Sequence, residues 1–248
     1  MDAPAESPAE QPVPTQRVAG CDFAALSPDA VLARLLRRDP ASPFAYVVTP
    51  NADHLVRLSR RPELRPLYDD AWLRLLDSRV VAMLARGMGL PVPPVVPGSD
   101  LTAALLARIQ EPVTIIGLDP RWLPALRVPI RAHHNPPLGF DADPRAFARA
   151  RDFALAHPSR FLFLAVGSPR QERLAAAIAA TGAARGIGLC IGASLAFMAG
   201  AEVRAPLWMR RHGLEWLHRL SGDPVRLARR YLWDSPAIIG VLARERLG

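Results

Sequence analysis

Short apolar runs alternate with amphipathic stretches across most of residues 44–192. Phe44–Val48, Trp72–Leu76, Val113–Gly117, Pro129–Asn135, Phe161–Val166 and Ile187–Ile191 read as strands. Between them, apolar residues recur at helical spacing over Ala52–Arg61, Glu63–Ala71, Arg79–Met88, Gly98–Gln110, Asp143–His157 and Pro169–Thr181. Further helices are expected over Asp22–Arg38, with Ser27 as a cap, and from Asp119 to Leu126. Leu90–Pro97 is proline-rich and reads as a loop. Strands alternating with helices predict an α/β fold: a Rossmann-like, mainly parallel sheet with helices on both faces.

Three of the strand-to-helix junctions have polar tips. Thr49-Pro50-Asn51 follows the first strand, Asp77-Ser78 follows the second, and Gly167-Ser168-Pro169 follows Phe161–Val166. In sheets of this class ligands gather at the carboxyl ends of the strands. A helix that starts there adds unpaired N–H groups and partial positive charge, which suit a phosphate. Each tip also has a purely structural reading. Thr49 can cap a helix with Pro50 at its first position, and Asp77 can be an N-cap. Ser168 can cap a helix that has Pro169 at its first position and Gln171 closing a capping box. Residue pattern alone leaves both readings open. His54, beside the first junction, is either a ligand contact or a surface histidine.

Composition adds limits. The chain has 248 residues, half of them hydrophobic, with a mean hydropathy of +0.09. No run approaches the roughly 18–20 apolar residues of a membrane span. The first residues are acidic and proline-rich without an apolar core of the signal-peptide kind, so a disordered leader is expected over residues 1–20. Two cysteines suggest neither a disulfide framework nor a zinc site, and a cytosolic protein is expected. The net charge is +8, with arginine as the only source of the 31 basic side chains. An anionic partner is one reading and compositional bias the other.

From Ala193 onward the strand signal stops. Arg204, Arg210, Arg211, Arg219, Arg226, Arg229 and Arg230 alternate with Trp208, Trp216, Tyr231 and Trp233. Short amphipathic helices follow from that pattern. They suit a membrane interface or a lipid diphosphate, or else form a helical cap whose tryptophans fill the core. The expected division is a leader over 1–20, an α/β core over 21–195 and a helical appendage over 196–248.

Several constellations fail. Gly186–Gly192 lacks the dinucleotide-binding glycine spacing, and no acidic residue ends a following strand at the expected distance. Asp141 and Asp143 have the D-x-D form of a metal-dependent sugar transferase, but Asp143 before Pro144 is better explained as an N-cap. His133 and His134 are neighbours on a strand and face opposite sides. No metal and no cofactor is expected, and no nucleic-acid-binding module is recognisable.

Taken in order, the motifs resemble those of the WecG/TagA/CpsF glycosyltransferases, glycosyltransferase family 26. They are Thr49-Pro50-Asn51, Asp77, Gly98-Ser99-Asp100-Leu101, Gly139-Phe140 and Val166 through Glu172. Ile191 through Ser194, Gly200, Arg204 through Pro206, Gly213 through Trp216, Arg219-Leu220, Pro224, Arg226 and Arg230-Tyr231 complete the set. The stretch from His134 to Phe140 is most similar to exopolysaccharide β-1,4-glucosyltransferase members, which extend polyprenyl-diphosphate glucose. The resemblance implies inverting transfer from a UDP-sugar, of the UDP-glucose or UDP-N-acetylmannosamine type, to a polyprenyl-diphosphate-linked sugar at the inner membrane face. It implies Asp77 as general base, with Thr49, Asn51, Gly98, Ser168, Gln171 and Glu172 about the substrates. Arg204, Arg219 and Arg226 would hold diphosphate, and self-association is implied. This chain departs in having Ser78 where members commonly have glycine, and Val95 where many carry arginine. Those departures motivate an alternative: a non-catalytic nucleotide-sugar-binding subunit of a polysaccharide assembly complex.

Overall fold

The computed structural model describes residues 12–201, 206, 209 and 237–247. An antiparallel hairpin of β1 (Thr15–Val18) and β2 (Cys21–Ala24) comes first. α1 (Pro28–Arg37), β3 (Ala45–Val48), α2 (Ala52–Arg60), α3 (Pro66–Asp69), β4 (Leu73–Arg74), α4 (Arg79–Gly87) and α5 (Gly98–Leu106) follow. Then come β5 (Val113–Gly117), β6 (Ile130–His134), α6 (Pro144–Ala156), β7 (Phe161–Ala165), α7 (Arg170–Ala179), β8 (Ile187–Cys190) and α8 (Ser194–Met198). α9 (Ala237–Leu247) is the last described helix.

β3 to β8 form one parallel sheet in the order β4-β3-β8-β7-β5-β6. This is the expected Rossmann-like α/β architecture. Alternation along the strands divides the core into two layers. Tyr46, Val48, Ile116, Leu162, Leu164 and Cys190 pack on one side with Leu55 of α2, Leu174 of α7 and Ala150 of α6. Val47, Ile115, Phe161, Phe163 and Leu189 pack on the other with Leu35 of α1, Leu105 of α5 and Leu195 of α8. Both faces are covered, which is why these strands are almost wholly apolar.

Three local differences from the sequence reading have physical causes. Residues 15–20, assigned above to a disordered leader, belong to the hairpin. Ala19 and Gly20 both adopt positive φ, as a two-residue turn between twisted strands requires, and Val18, Cys21 and Phe23 are buried. Residues 21–24 supply β2, and the first helix starts at Pro28 with Ser27 capping the Ala30 N–H, as expected. The helix expected over Glu63–Ala71 is instead a 3-10 turn at Pro62–Leu64 followed by α3, because Pro66 has no N–H to continue the ladder. Asp119 to Leu126 is a 3-10 segment with Pro124 inside it.

The C-terminal helix packs against the α/β core. α9 packs on α2 and α4, and its Ile238, Val241 and Leu242 lie in the core layer that contains Leu55. Leu242 is fully buried. Leu242→Ala is therefore expected to destabilise the protein by about 2–5 kcal/mol, read as a shift of the urea unfolding midpoint. A helix belonging to a detached appendage would leave the midpoint unmoved. Arg204, Arg219 and Arg226, with the rest of the arginine and tryptophan stretch at 210–236, lie outside the described residues.

Candidate active site

Because the sheet is parallel, the residues after β3, β4, β7 and β8 emerge along one edge. The pairing of β3 with β4 continues past the strands themselves. Leu75 N–H donates to the Val48 carbonyl at 3.0 Å, and Asp77 N–H donates to the Pro50 carbonyl at 3.0 Å. On the far side, Val96 N–H donates to the Leu76 carbonyl at 2.9 Å, with Leu76 and Val95 bridged in parallel. Three segments, 48–50, 75–77 and 95–98, thus run side by side and deliver Thr49, Asp77 and Gly98 to one corner.

The contacts there are close. Asp77 Oδ2 accepts the Gly98 N–H at 3.0 Å. A Cβ placed on Gly98 would lie 2.8 Å from Thr49 Oγ1 and 3.4 Å from Asp77 Oδ2. Glycine at position 98 is what lets the hydroxyl and the carboxylate approach the start of α5. Thr49 Oγ1 donates to the Cys190 carbonyl of β8 at 3.4 Å, tying the corner to the next strand.

Helix capping at these junctions falls on neighbours of the expected residues. Asn51, not Thr49, caps α2: its Oδ1 accepts from Asp53 N–H at 3.1 Å and His54 N–H at 3.4 Å. His54 Nδ1 accepts the Asn51 N–H in return at 3.0 Å, so His54 completes a capping box. Ser78, not Asp77, caps α4 by accepting from Val81 N–H at 3.2 Å. Ser78 therefore has a structural role, and Val95 packs against the apolar layer beneath α2 and α7. Thr49 and Asp77 are left to face each other across Gly98.

The third junction is also corrected. α7 begins after Pro169 without a side-chain cap, so Ser168 is not the N-cap and Gln171 closes no capping box. Ser168 Oγ instead accepts from Arg57 NH1 at 3.2 Å and bonds Tyr68 Oη at 3.1 Å. Arg57 also pairs with Asp53 at 2.9 Å. The sequence reading passed over Arg57 and Tyr68. The only signal for Arg57 was its position one helical turn after Asp53, just past the Thr49 junction.

Gln171 and Glu172 sit deeper than a direct substrate contact would suggest, at 3% and 1% exposure. Gln171 Oε1 accepts the Gly192 N–H at 2.9 Å, and its Nε2 donates to Glu172 Oε1 at 2.9 Å. Burial pushes the Glu172 carboxyl up from its ordinary range. The Gln171 amide, the adjacent backbone N–H, the nearby Ser168 hydroxyl and the charge of Arg57 favour the charged form and pull it the other way.

Among the described residues no group of three or more His, Cys, Asp or Glu side chains is placed to hold a metal ion. Asp141 pairs with Arg173 at 3.3 Å, and Asp143 caps α6 through the Arg145 N–H at 2.8 Å, as expected of a residue before Pro144. The arrangement is suited to proton transfer at a half-buried carboxylate beside helix N-termini.

A family model described as Glycosyl transferase WecG/TagA/CpsF family matches residues 16–248. The match spans the hairpin, the whole sheet and α9.

Proposed function

The chain belongs to the WecG/TagA/CpsF glycosyltransferase family, and from that premise we propose that it moves a hexose from a UDP-sugar to a polyprenyl-diphosphate-linked sugar with inversion. The product would enter exopolysaccharide or another cell-surface polysaccharide. The observation that carries this reading is the convergence of Asp77, Thr49 and Gly98 at the carboxyl edge of the sheet. Inverting transfer is a single displacement. The acceptor hydroxyl attacks the anomeric carbon from the side opposite UDP, its proton passes to Asp77, and the bond from that carbon to the UDP oxygen breaks. Gly98 orients the carboxylate through Oδ2. Thr49 and Asn51 flank the sugar.

UDP departs with negative charge. The start of α7 beside Ser168, together with arginine side chains, supplies the opposing positive charge without a metal ion. Arg204, Arg219 and Arg226 hold the acceptor diphosphate at the inner membrane surface. No helix among the described residues is long and apolar enough to cross a membrane, so attachment there would be peripheral. Self-association of the chain completes the proposal.

The test is a turnover assay with purified protein, polyprenyl-diphosphate glucose in detergent and a panel of UDP-sugars, following UDP release and the lipid product. Transfer from one donor, at the same rate with and without EDTA, is expected. Loss of transfer with EDTA would move the phosphate chemistry to a metal ion. UDP-sugar binding with no transfer to any lipid-linked acceptor would favour the non-catalytic subunit.

A further inference from the structure

Glu172 is a carboxyl in a buried place. It lies in the first turn of α7 at 1% exposure, and its Oε2 has no hydrogen-bond partner. A buried carboxyl with one unpartnered oxygen costs stability, so a compensating role elsewhere is expected. Its bond with Gln171 leads to the site edge. Oε1 accepts from Gln171 Nε2, and Gln171 Oε1 in turn accepts from Gly192 N–H, each at 2.9 Å.

The turn that this chain of bonds reaches is held from three elements. Thr49 Oγ1 donates to the Cys190 carbonyl, Ser194 Oγ donates to the Ile191 carbonyl at 2.6 Å, and Gln171 accepts from Gly192. Gly192 itself adopts φ +54, a conformation that a loosened backbone would readily leave. A glutamine amide presents an acceptor on one side and a donor on the other, and rotating it by half a turn exchanges them. An acceptor at Glu172 Oε1 permits only one of these orientations, with the carbonyl oxygen toward Gly192.

We propose that Glu172 is a positioning residue: by fixing the orientation of the Gln171 amide it locks the Gly192 turn beside Thr49. The inference rests on the transfer reaction proposed above for its kinetic consequence, but not for its structural one. Side chains from five segments surround Glu172. They are Tyr46 from β3, Arg57 from α2, Tyr68 from α3, Ser168 from the loop before α7 and Cys190 from β8. No ion pair forms between Glu172 and Arg57, which pairs with Asp53 instead. Burial raises the Glu172 carboxyl, and Ser168 and Arg57 oppose that shift. In either protonation state Oε1 is the acceptor that Gln171 needs.

Glutamine at this position keeps the acceptor, because its carbonyl oxygen can occupy the Oε1 place. Glu172→Gln, Glu172→Ala, Gln171→Ala and the double alanine variant form the test set. The first readout needs no substrate: amide hydrogen exchange at Gly192, measured by NMR on the full chain. Exchange is expected to stay slow in Glu172→Gln and to accelerate about tenfold or more in the other three, since each frees the Gly192 N–H from its acceptor. The second readout is kcat and donor KM. Glu172→Ala is expected to lower kcat about tenfold or more, with Glu172→Gln near wild type and Glu172→Ala adding nothing in the Gln171→Ala background.

Unchanged Gly192 exchange in Glu172→Ala would overturn the inference. So would additive losses of kcat, which would make Glu172 act independently of Gln171. Absence of transfer by the wild-type protein would sink the proposed reaction and leave the exchange experiment to decide on Glu172.

Discussion

Asp77→Asn is expected to lower kcat by about 10²–10⁴-fold while the protein stays folded. Asparagine keeps an oxygen that can accept the Gly98 N–H, now at 3.0 Å from Asp77 Oδ2. The cap of α4 is supplied by Ser78 and does not depend on residue 77. What asparagine cannot do is take the proton of an attacking hydroxyl. Alanine would be a poorer probe, because it would also release the start of α5. The check is an initial-rate series on the lipid-linked acceptor alongside thermal unfolding of the same preparations. A fully active Asp77→Asn protein would remove this carboxylate from the mechanism.

Gly98→Ala should separate activity from stability in a different way. Gly98 opens α5 without a left-handed backbone, so alanine fits the chain there and carries a helix preference of up to about 1 kcal/mol over glycine. Its methyl group, however, would sit 2.8 Å from Thr49 Oγ1. Thr49 is buried and bonded to the Cys190 carbonyl, so it has little room to retreat. The displacement falls on the Thr49 hydroxyl or on the Asp77 carboxylate. An activity loss of about 10²-fold is expected, because misplacement of catalytic groups by an ångström is that costly. The unfolding midpoint should move little. Wild-type activity in this variant would show that the reacting groups do not meet at this corner.

The inner strands of the sheet were legible because they are apolar on both faces, and only burial between two helical layers accounts for that. Val113–Gly117 emerges with the bounds read from the pattern. The hairpin at 15–24 was not legible. A proline-rich, acidic leader precedes it and dominates the composition, while the signal that matters is a turn of two residues at positive φ. At two junctions the cap lies one or two positions past the expected residue, and at the third α7 has no side-chain cap. Thr49, Asn51, Asp77, Ser78 and Ser168 are all capable of capping, and local sequence does not rank them. Cross-strand bonds do: once Asp77 N–H is bound by Pro50 and Thr49 Oγ1 by Cys190, the caps fall to Asn51 and Ser78.

The sequence by itself therefore determined the fold class, the strands of the sheet and the set of motifs from which the family can be recognised. These depend on periodicity and on residue type, which are local properties. Only the tertiary structure decided that Thr49, Asp77 and Gly98 share a corner. It likewise joined Glu172 to Gly192 through Gln171, gave Ser168 to Arg57 and Tyr68, and made α9 part of the core. Each of those is a contact between segments distant in the chain. Such contacts follow from the order of parallel strands in the sheet, which no local pattern encodes.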